Sequence, residues 1–392
     1  PPDAPRKGNL VARLRGSGAR KPLLLLAHLD VVEAKREDWK RDPFKLLEEN
    51  GVFSARGAID DKAMAAAFVA NLATMRARNL VPQRDIILAL TADEEMIPSR
   101  YNGVSYLLAH HRELIDAEFA INEGGFGTLD ENGRALYQTL QVGEKVFQTF
   151  RLEVTNPGGH SARPTRDNAI YHLAEGLVRL GRFDFPVRIN AATRAYLQRA
   201  AAFESDPLAG AMRGAAQDPP DASALEKLSN QPGLNAMIRT TCVATMLEAG
   251  HATNALPQRA RAVVNCRILP GEPVAEVKTQ LVKILGDEQI QVSADGDAVE
   301  SGSPPLASNV ITPIEKVAAE MWPGVPVIPT MFPAATDGRF LNNAGIWTYG
   351  ITGLFARGPT GTHGLNEHIG AAELYRSREF LDRLVSALAN PD

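Results

Sequence analysis

Cysteine is nearly absent, with Cys242 and Cys266 the only two in 392 residues. Both lie in apolar segments that read as strands, so they are expected as buried thiols rather than as a disulfide framework. Long hydrophobic runs are missing. The run Leu23 to Ala27, like every other in the chain, is far short of the ~20 residues a membrane-spanning helix needs. An excess of one charge is missing too: the formal net charge is −4 and the basic residues are scattered. That leaves no electrostatic footprint for nucleic acid or an anionic membrane. Repeats and low-complexity segments are likewise absent. What remains is an ordinary globular composition, 44% hydrophobic, in a chain longer than one core usually fills, so two domains and a small-molecule or peptide partner are expected. The chain opens on a Pro-rich stretch at Pro1, not on a methionine. If a signal peptide has been removed the location is extracytoplasmic; the compartment stays open.

The hydrophobic pattern divides the chain into three. Strands are expected at Asn9–Arg15, Pro22–His28, Asp85–Thr91 and Ala117–Asn122, alternating with helices at Ala63–Arg76 and Gly103–Arg112. The strand ending at His28 lacks polar alternation, as in a strand covered on both faces of a mainly parallel sheet. Phe147–Thr155 then alternates like a half-exposed antiparallel strand. It is followed by a helix at Asn168–Leu180, strands at Thr240–Glu248 and Arg259–Arg267, and a helix at Pro273–Leu285. The first pattern resumes with helices at Val310–Met321 and Ala371–Leu388 and strands near Val325–Thr330 and Ile346–Gly350. The expected fold is α/β: a catalytic domain with a mainly parallel, helix-covered sheet (1–145 and 301–392) and an inserted smaller α+β lid (146–300). The lid is interrupted by a polar, Ala-rich stretch near 184–231 in which no motif is found.

The chemistry-bearing residues fall where apolar strands run out, at the carboxyl ends where open α/β sheets bind ligands. His28-Leu-Asp30 offers a histidine and, two residues on, a carboxylate able to orient it; alone, it reads equally as a structural pair. Gly57-Ala-Ile-Asp60-Asp61-Lys62 sets two acids before a helix, where they could bridge cations or merely complement the helix dipole. Asp93-Glu94-Glu95 places acids after another strand, so that one can bind metal while its neighbour acts as a base; a solvated charge run is the plainer reading. Asn122-Glu123-Gly-Gly and Thr362-His363-Gly364 add a carboxylate and a histidine in glycine-bearing loops. Together these make a nitrogen and oxygen donor set without thiolates, suited to catalytic zinc or a related divalent ion.

This ordered set, together with Gly159-His160-Ser161, resembles the M20 metallopeptidases over essentially the whole chain, above all the branch of carboxypeptidase S and the N-acyl-amino-acid hydrolases. The resemblance implies two Zn2+ per chain, with Co2+ or Mn2+ as substitutes. His28, Asp60 and Glu123 would hold one ion, and Asp60, Glu95 and His363 the other. Asp30 would orient His28, and Glu94 would take a proton from the attacking water and return it to the leaving amine. Relatives often carry an acid directly before the Glu123 position, where this chain has Asn122. The peptide after Asp60 is commonly cis in the family, a costly non-proline geometry. His160 matches a histidine that stabilises the oxyanion and, in dimeric members, reaches the partner's site. Asn254, Arg267 and Arg339 match substrate-binding positions; Arg267 is suited to a substrate carboxylate, and Arg339 could instead brace the metal loop.

The implied activity is zinc-dependent amide hydrolysis in small peptides or N-acyl amino acids, with a homodimer through the lid as one arrangement. A deacylase of the acetylornithine or succinyl-diaminopimelate type would share every metal residue, and a non-catalytic binding protein is the reading from another class. Relatives ordinarily carry several dozen residues before the strand that ends in His-x-Asp, which implies a segment ahead of Pro1. The remaining histidines, His110, His111, His172, His251 and His368, show no partner pattern.

Overall fold

Leu23 to Ala27 explains the architecture, because its side chains alternate between two apolar layers. In the computed structural model, which describes residues 1–96, 99–296 and 298–391, Leu23, Leu25 and Ala27 face a core built on helices Lys62–Ala77, Ser308–Met321 and Ala371–Ala389. Leu24 and Leu26 face a second core with Val104, Leu107, Ile115 and Leu341. A strand that buries both faces cannot alternate in polarity. Each fully buried leucine contributes about 1.5–3 kcal/mol by transfer.

This strand, Arg20–His28, lies inside a nine-stranded sheet found among the described residues. Strands Arg84–Thr91, Arg20–His28, Phe119–Asn122 and Trp347–Gly350 run parallel side by side. Leu10–Leu14 closes one edge antiparallel to Arg84–Thr91. On the other side come Ala135–Glu144 and its parallel neighbour Val327–Phe332. A three-stranded sheet, His368–Gly370, Val52–Ser54 and Leu47–Glu49, packs nearby. None of the described helices is long and apolar enough to cross a membrane.

The smaller sheet is antiparallel, ordered Thr241–Ala249, Arg259–Ile268, Val146–Thr155, Gln291–Asp295. One face is covered by helices Ala169–Gly181 and Val274–Leu285, through Phe150, Leu152, Leu173, Val264 and Leu281. Cys242 and Cys266 stand directly opposite each other across two of its strands and form a disulfide, with Cα atoms 4.1 Å apart. The expectation of two free thiols is therefore corrected: both segments are strands, but their pairing register is a long-range property.

The stretch near 184–231 is helical, with Ala191–Ala200, Leu208–Ala215 and Ala222–Ser229, followed by Pro232–Ile238. These helices pack on the large sheet, where Leu197, Met212 and Ile238 share a core with Tyr137 and Ile328. The chain accordingly passes between the two sheet systems four times. At the first crossing Lys145, 1% exposed, donates to the Arg239 carbonyl at the third. Arg239 in turn pairs with Asp184 at the second.

Candidate metal centre

Five segments converge at the carboxyl edge of the parallel strands. His28 ends one strand and Glu123 follows another. Glu94 and Glu95 follow Thr91, the last residue of a third strand. Asp60 comes from the loop before helix Lys62–Ala77, and its peptide bond to Asp61 is cis. His363 lies in the loop ahead of strand His368–Gly370.

Asp60 divides its carboxylate between the two histidines. Its Oδ1 is 3.0 Å from His28 Nε2 and its Oδ2 is 3.0 Å from His363 Nε2. His363 Nε2 is also 3.0 Å from Glu95 Oε1, and His28 Nε2 is 3.8 Å from Glu123 Oε1. His28 Nδ1 faces the Asp30 carbonyl at 3.1 Å and the Asp30 carboxylate at 3.6 Å. Lys62 Nζ donates to the Leu29 carbonyl at 2.6 Å, which holds the His28 loop from below.

Burial, reinforced by neighbouring carboxylates, raises the pKa of Glu94, Glu123 and Asp61 well above the ordinary range. Asp60 is also buried, but His28 and His363 hold it well below that range. Burial pulls the His28 imidazole down, while Glu123, Asp30 and Asp60 more than offset this and hold it well up. The bonds to Asp60 and then Glu95 raise His363 to about 10. So much buried carboxylate calls for cationic charge.

The donor atoms fit that call. Those of His28, Asp60 and Glu95 lie within 4.8 Å of one another, as do those of His28, Glu94 and Glu123. Two donors on a tetrahedral zinc with bonds near 2.0 Å stand about 3.3 Å apart, inside the 3.0–3.8 Å spread seen around Asp60 and His28. Glu94 Oε1 and Asp61 Oδ2 are buried without a hydrogen-bond partner among the described residues. Such atoms are costly unless something else satisfies them.

The remaining sequence-predicted residues divide into two groups. Arg267, on the smaller sheet, stacks over Phe147 at 4.6 Å and makes no described ion pair. Burial and the nearby Arg339 lower its pKa, against the pull of Glu94. Arg339 is buried, donates to the Thr336 carbonyl at 3.0 Å, and lines a cavity of about 400 Å³ between the two sheets with Met96, Phe147 and Asp295. His160 and Asn254 are exposed neighbours on the lid: Gly159–His160 pairs with Ala255–Leu256, and Ser161 N–H donates to the Asn254 carbonyl. No described contact joins either to the carboxylate cluster. Asn122 is buried and donates to Thr336 Oγ1 at 3.4 Å, apart from the cluster.

Sequence reasoning missed Asp337, which is buried, accepts from Asn102 at 2.5 Å and adds negative charge beside Glu94 and Glu123. It also missed Glu367 and Arg56, a buried ion pair at 2.7 Å. The only signal was an acid four residues after His363. His172, read as partnerless, has two partners, Asp287 at 2.5 Å and Asp167 at 3.1 Å, far from this centre in the lid.

Known proteins resemble this chain in sequence and fold. A family model described as peptidase family M20/M25/M40 matches residues 24–387. N-fatty-acyl-amino acid synthase/hydrolase PM20D1 of Homo sapiens is 30% identical over 375 residues, covering 93% of this chain and 74% of that protein. Probable carboxypeptidase S-like 2 of Dictyostelium discoideum is 27% identical over 328 residues, 81% of this chain and 62% of that protein. Among solved structures, the M20 family metallo-carboxypeptidase Sso-CP2 from Sulfolobus solfataricus superposes with a TM-score of 0.72 at 19% identity, over 97% of this chain and 88% of that one. That likeness establishes the fold. Fold and sequence together define a metal-dependent hydrolase of peptide and amide bonds. The chain belongs to the M20/M25/M40 peptidase family.

Proposed function

We propose that this chain is a two-zinc enzyme that cleaves the amide bond of an N-acyl amino acid or a small peptide bearing a free carboxylate. The observation that carries the reading is Asp60, whose two oxygens face two different histidines at 3.0 Å each. His28, Asp60 and Glu123 would hold one ion; Asp60, Glu95 and His363 would hold the other. Cobalt or manganese can substitute, because availability and geometry decide among such ions. When bound, the ions polarise the scissile carbonyl and acidify the attacking water.

Glu94 is the base. Its buried, unpartnered Oε1 takes the water's proton, and the same carboxyl returns it to the departing nitrogen. Arg267, cationic and without a described ion pair, receives the substrate carboxylate across the interface between the sheets. His160 Nδ1 accepts the Ala162 N–H at 3.0 Å, which places the neutral ring's proton on Nε2, ready to donate to a developing oxyanion. Among the described residues no contact brings it to the cluster of its own chain, which favours delivery to a second copy. The edge strand Thr241–Ala249, with Val243, Met246 and Leu247 at least 60% exposed, supports a lid-to-lid dimer. Asn254 would travel with His160.

The test is a panel of C-terminally free dipeptides, N-fatty-acyl amino acids, N-acetylornithine and N-succinyl-diaminopimelate, assayed with metal-stripped and zinc-reloaded protein. Zinc-restored cleavage is expected, with N-acyl amino acids or dipeptides preferred. Glu94→Gln should retain both ions and lose about 10²–10⁴-fold in turnover. Full turnover in that variant overturns the mechanism.

A further inference from the structure

Glu367 is 0% exposed and lies outside the donor set, yet its carboxylate is bound on both oxygens. Oε2 accepts Arg56 Nη1 at 2.7 Å and the Gly57 N–H at 3.0 Å. Oε1 accepts the Ile59 N–H at 2.9 Å and the Asp60 N–H at 3.2 Å. Four donors from one loop therefore converge on a side chain 307–311 residues away in sequence. The three-stranded sheet makes this meeting possible: His368 pairs with Ser54, and the Glu367 carbonyl accepts the Ala55 N–H at 3.2 Å.

Arg56 extends the connection. Its Nη2 donates to the Gly364 carbonyl at 2.8 Å, one residue beyond His363, while its guanidinium stacks on Trp39. His363 has φ of +60°, a region that costs a non-glycine residue and persists only where surroundings enforce it. Gly361 allows the loop to turn tightly enough. At φ +75°, a Cβ there would lie 3.1 Å from the Glu367 backbone nitrogen. One buried ion pair thus grips both the backbone that presents Asp60 and the backbone that presents His363.

We propose that Glu367, acting through Arg56, is a positioning residue that sets Asp60 and His363 relative to each other and thereby sets the affinity of the ion held by Asp60, Glu95 and His363. This rests on the two-ion reading above. Two of that ion's three ligands lie on gripped loops, whereas His28 and Glu123 come from strand ends and leave only Asp60 gripped in the other set. Loosening the pair should therefore weaken the two sites unequally. A role in general stability would weaken them alike.

The experiment is Co2+ titration of the metal-stripped 392-residue chain, followed by equilibrium dialysis and absorption spectroscopy, with no substrate present. Wild type is expected to take two ions. Glu367→Gln is placed in a Glu123→Ala background, where the Asp60–Glu95–His363 set is intact, and in a Glu95→Ala background, where the other set is. In the first, affinity should fall about 10–100-fold, the usual cost of losing a group that orients a ligand; in the second the loss should be clearly smaller. If Glu367→Gln does not fold, Arg56→Lys carries the same comparison, since lysine keeps the charge beside Glu367 but lacks the fork that reaches Gly364. Equal losses in the two backgrounds, or none, overturn this proposal and leave two-ion binding standing. A wild-type chain that binds a single ion overturns both.

Discussion

Asp30 accepts the backbone N–H of Glu95 at 3.0 Å on one carboxylate oxygen, while the other accepts that of Glu94 at 3.2 Å. The residue expected to orient His28 therefore also fixes the turn that carries two acids of the centre. Burial pushes Asp30 up, but His28 and these backbone donors hold it below the ordinary carboxylate range. Asp30→Ala should lower kcat by about 10–100-fold with little change in KM. Steady-state kinetics at saturating zinc checks this; a pure KM effect would assign Asp30 to substrate binding instead.

Arg267 offers its charge to the interface between the sheets without a described carboxylate partner. Arg267→Ala should cost about 10–100-fold in kcat/KM on substrates with a free carboxylate, the worth of a hydrogen bond to a charged group. Against the corresponding carboxamides the loss should nearly vanish. Comparing the two substrate series separates carboxylate recognition from a role in holding the lid.

The fold was largely legible because its strands bury both faces: the Pro22–His28 run was read to within two residues of Arg20–His28. The four helices between Ala191 and Ile238 were not. They are short, and much of what they bury is alanine, such as Ala200, Ala211, Ala215 and Ala224 beside Leu197 and Met212, which contributes little to an apolar period. Of the candidate centre, the motifs after strand ends yielded His28, Glu95 and Glu123 and those in two loops yielded Asp60 and His363, and all five meet in space. Glu367 and Arg56 were invisible because their bond spans 311 residues and no local pattern marks it.

Lys145 supplies a pH prediction. Burial, then Arg267 nearby, lowers its pKa to about 7, with Glu272 pulling the other way. An unfolded lysine titrates near ~10.4, so between pH 7 and that value the unfolded chain binds more protons and stability rises with pH. Lys145→Met removes this term. Urea denaturation from pH 7 to 9.5 should show wild type gaining on the variant as pH increases; a constant difference would mean that Lys145 titrates normally in the folded protein.

The disulfide closes a loop of 24 residues, for which the chain-entropy account gives about 2–4 kcal/mol. Cys242→Ala/Cys266→Ala should lower the free energy of unfolding by about that amount and leave metal content unchanged, because none of the proposed metal ligands lies in the loop. Calorimetry beside metal analysis of the same samples decides it. Loss of bound metal would show that the lid supports the centre directly.

That same bond has a consequence for the open margin of the small sheet. A free edge strand can slide along its neighbour, and a shift of one residue reverses every side chain. Cys242, at the second residue of Thr241–Ala249, is bonded to its opposite number in Arg259–Ile268, so the margin is anchored at one end like a zip with its first tooth locked. Whatever strand lies against Val243, Met246 and Leu247 meets a template already tied to its inner neighbour at Cys242.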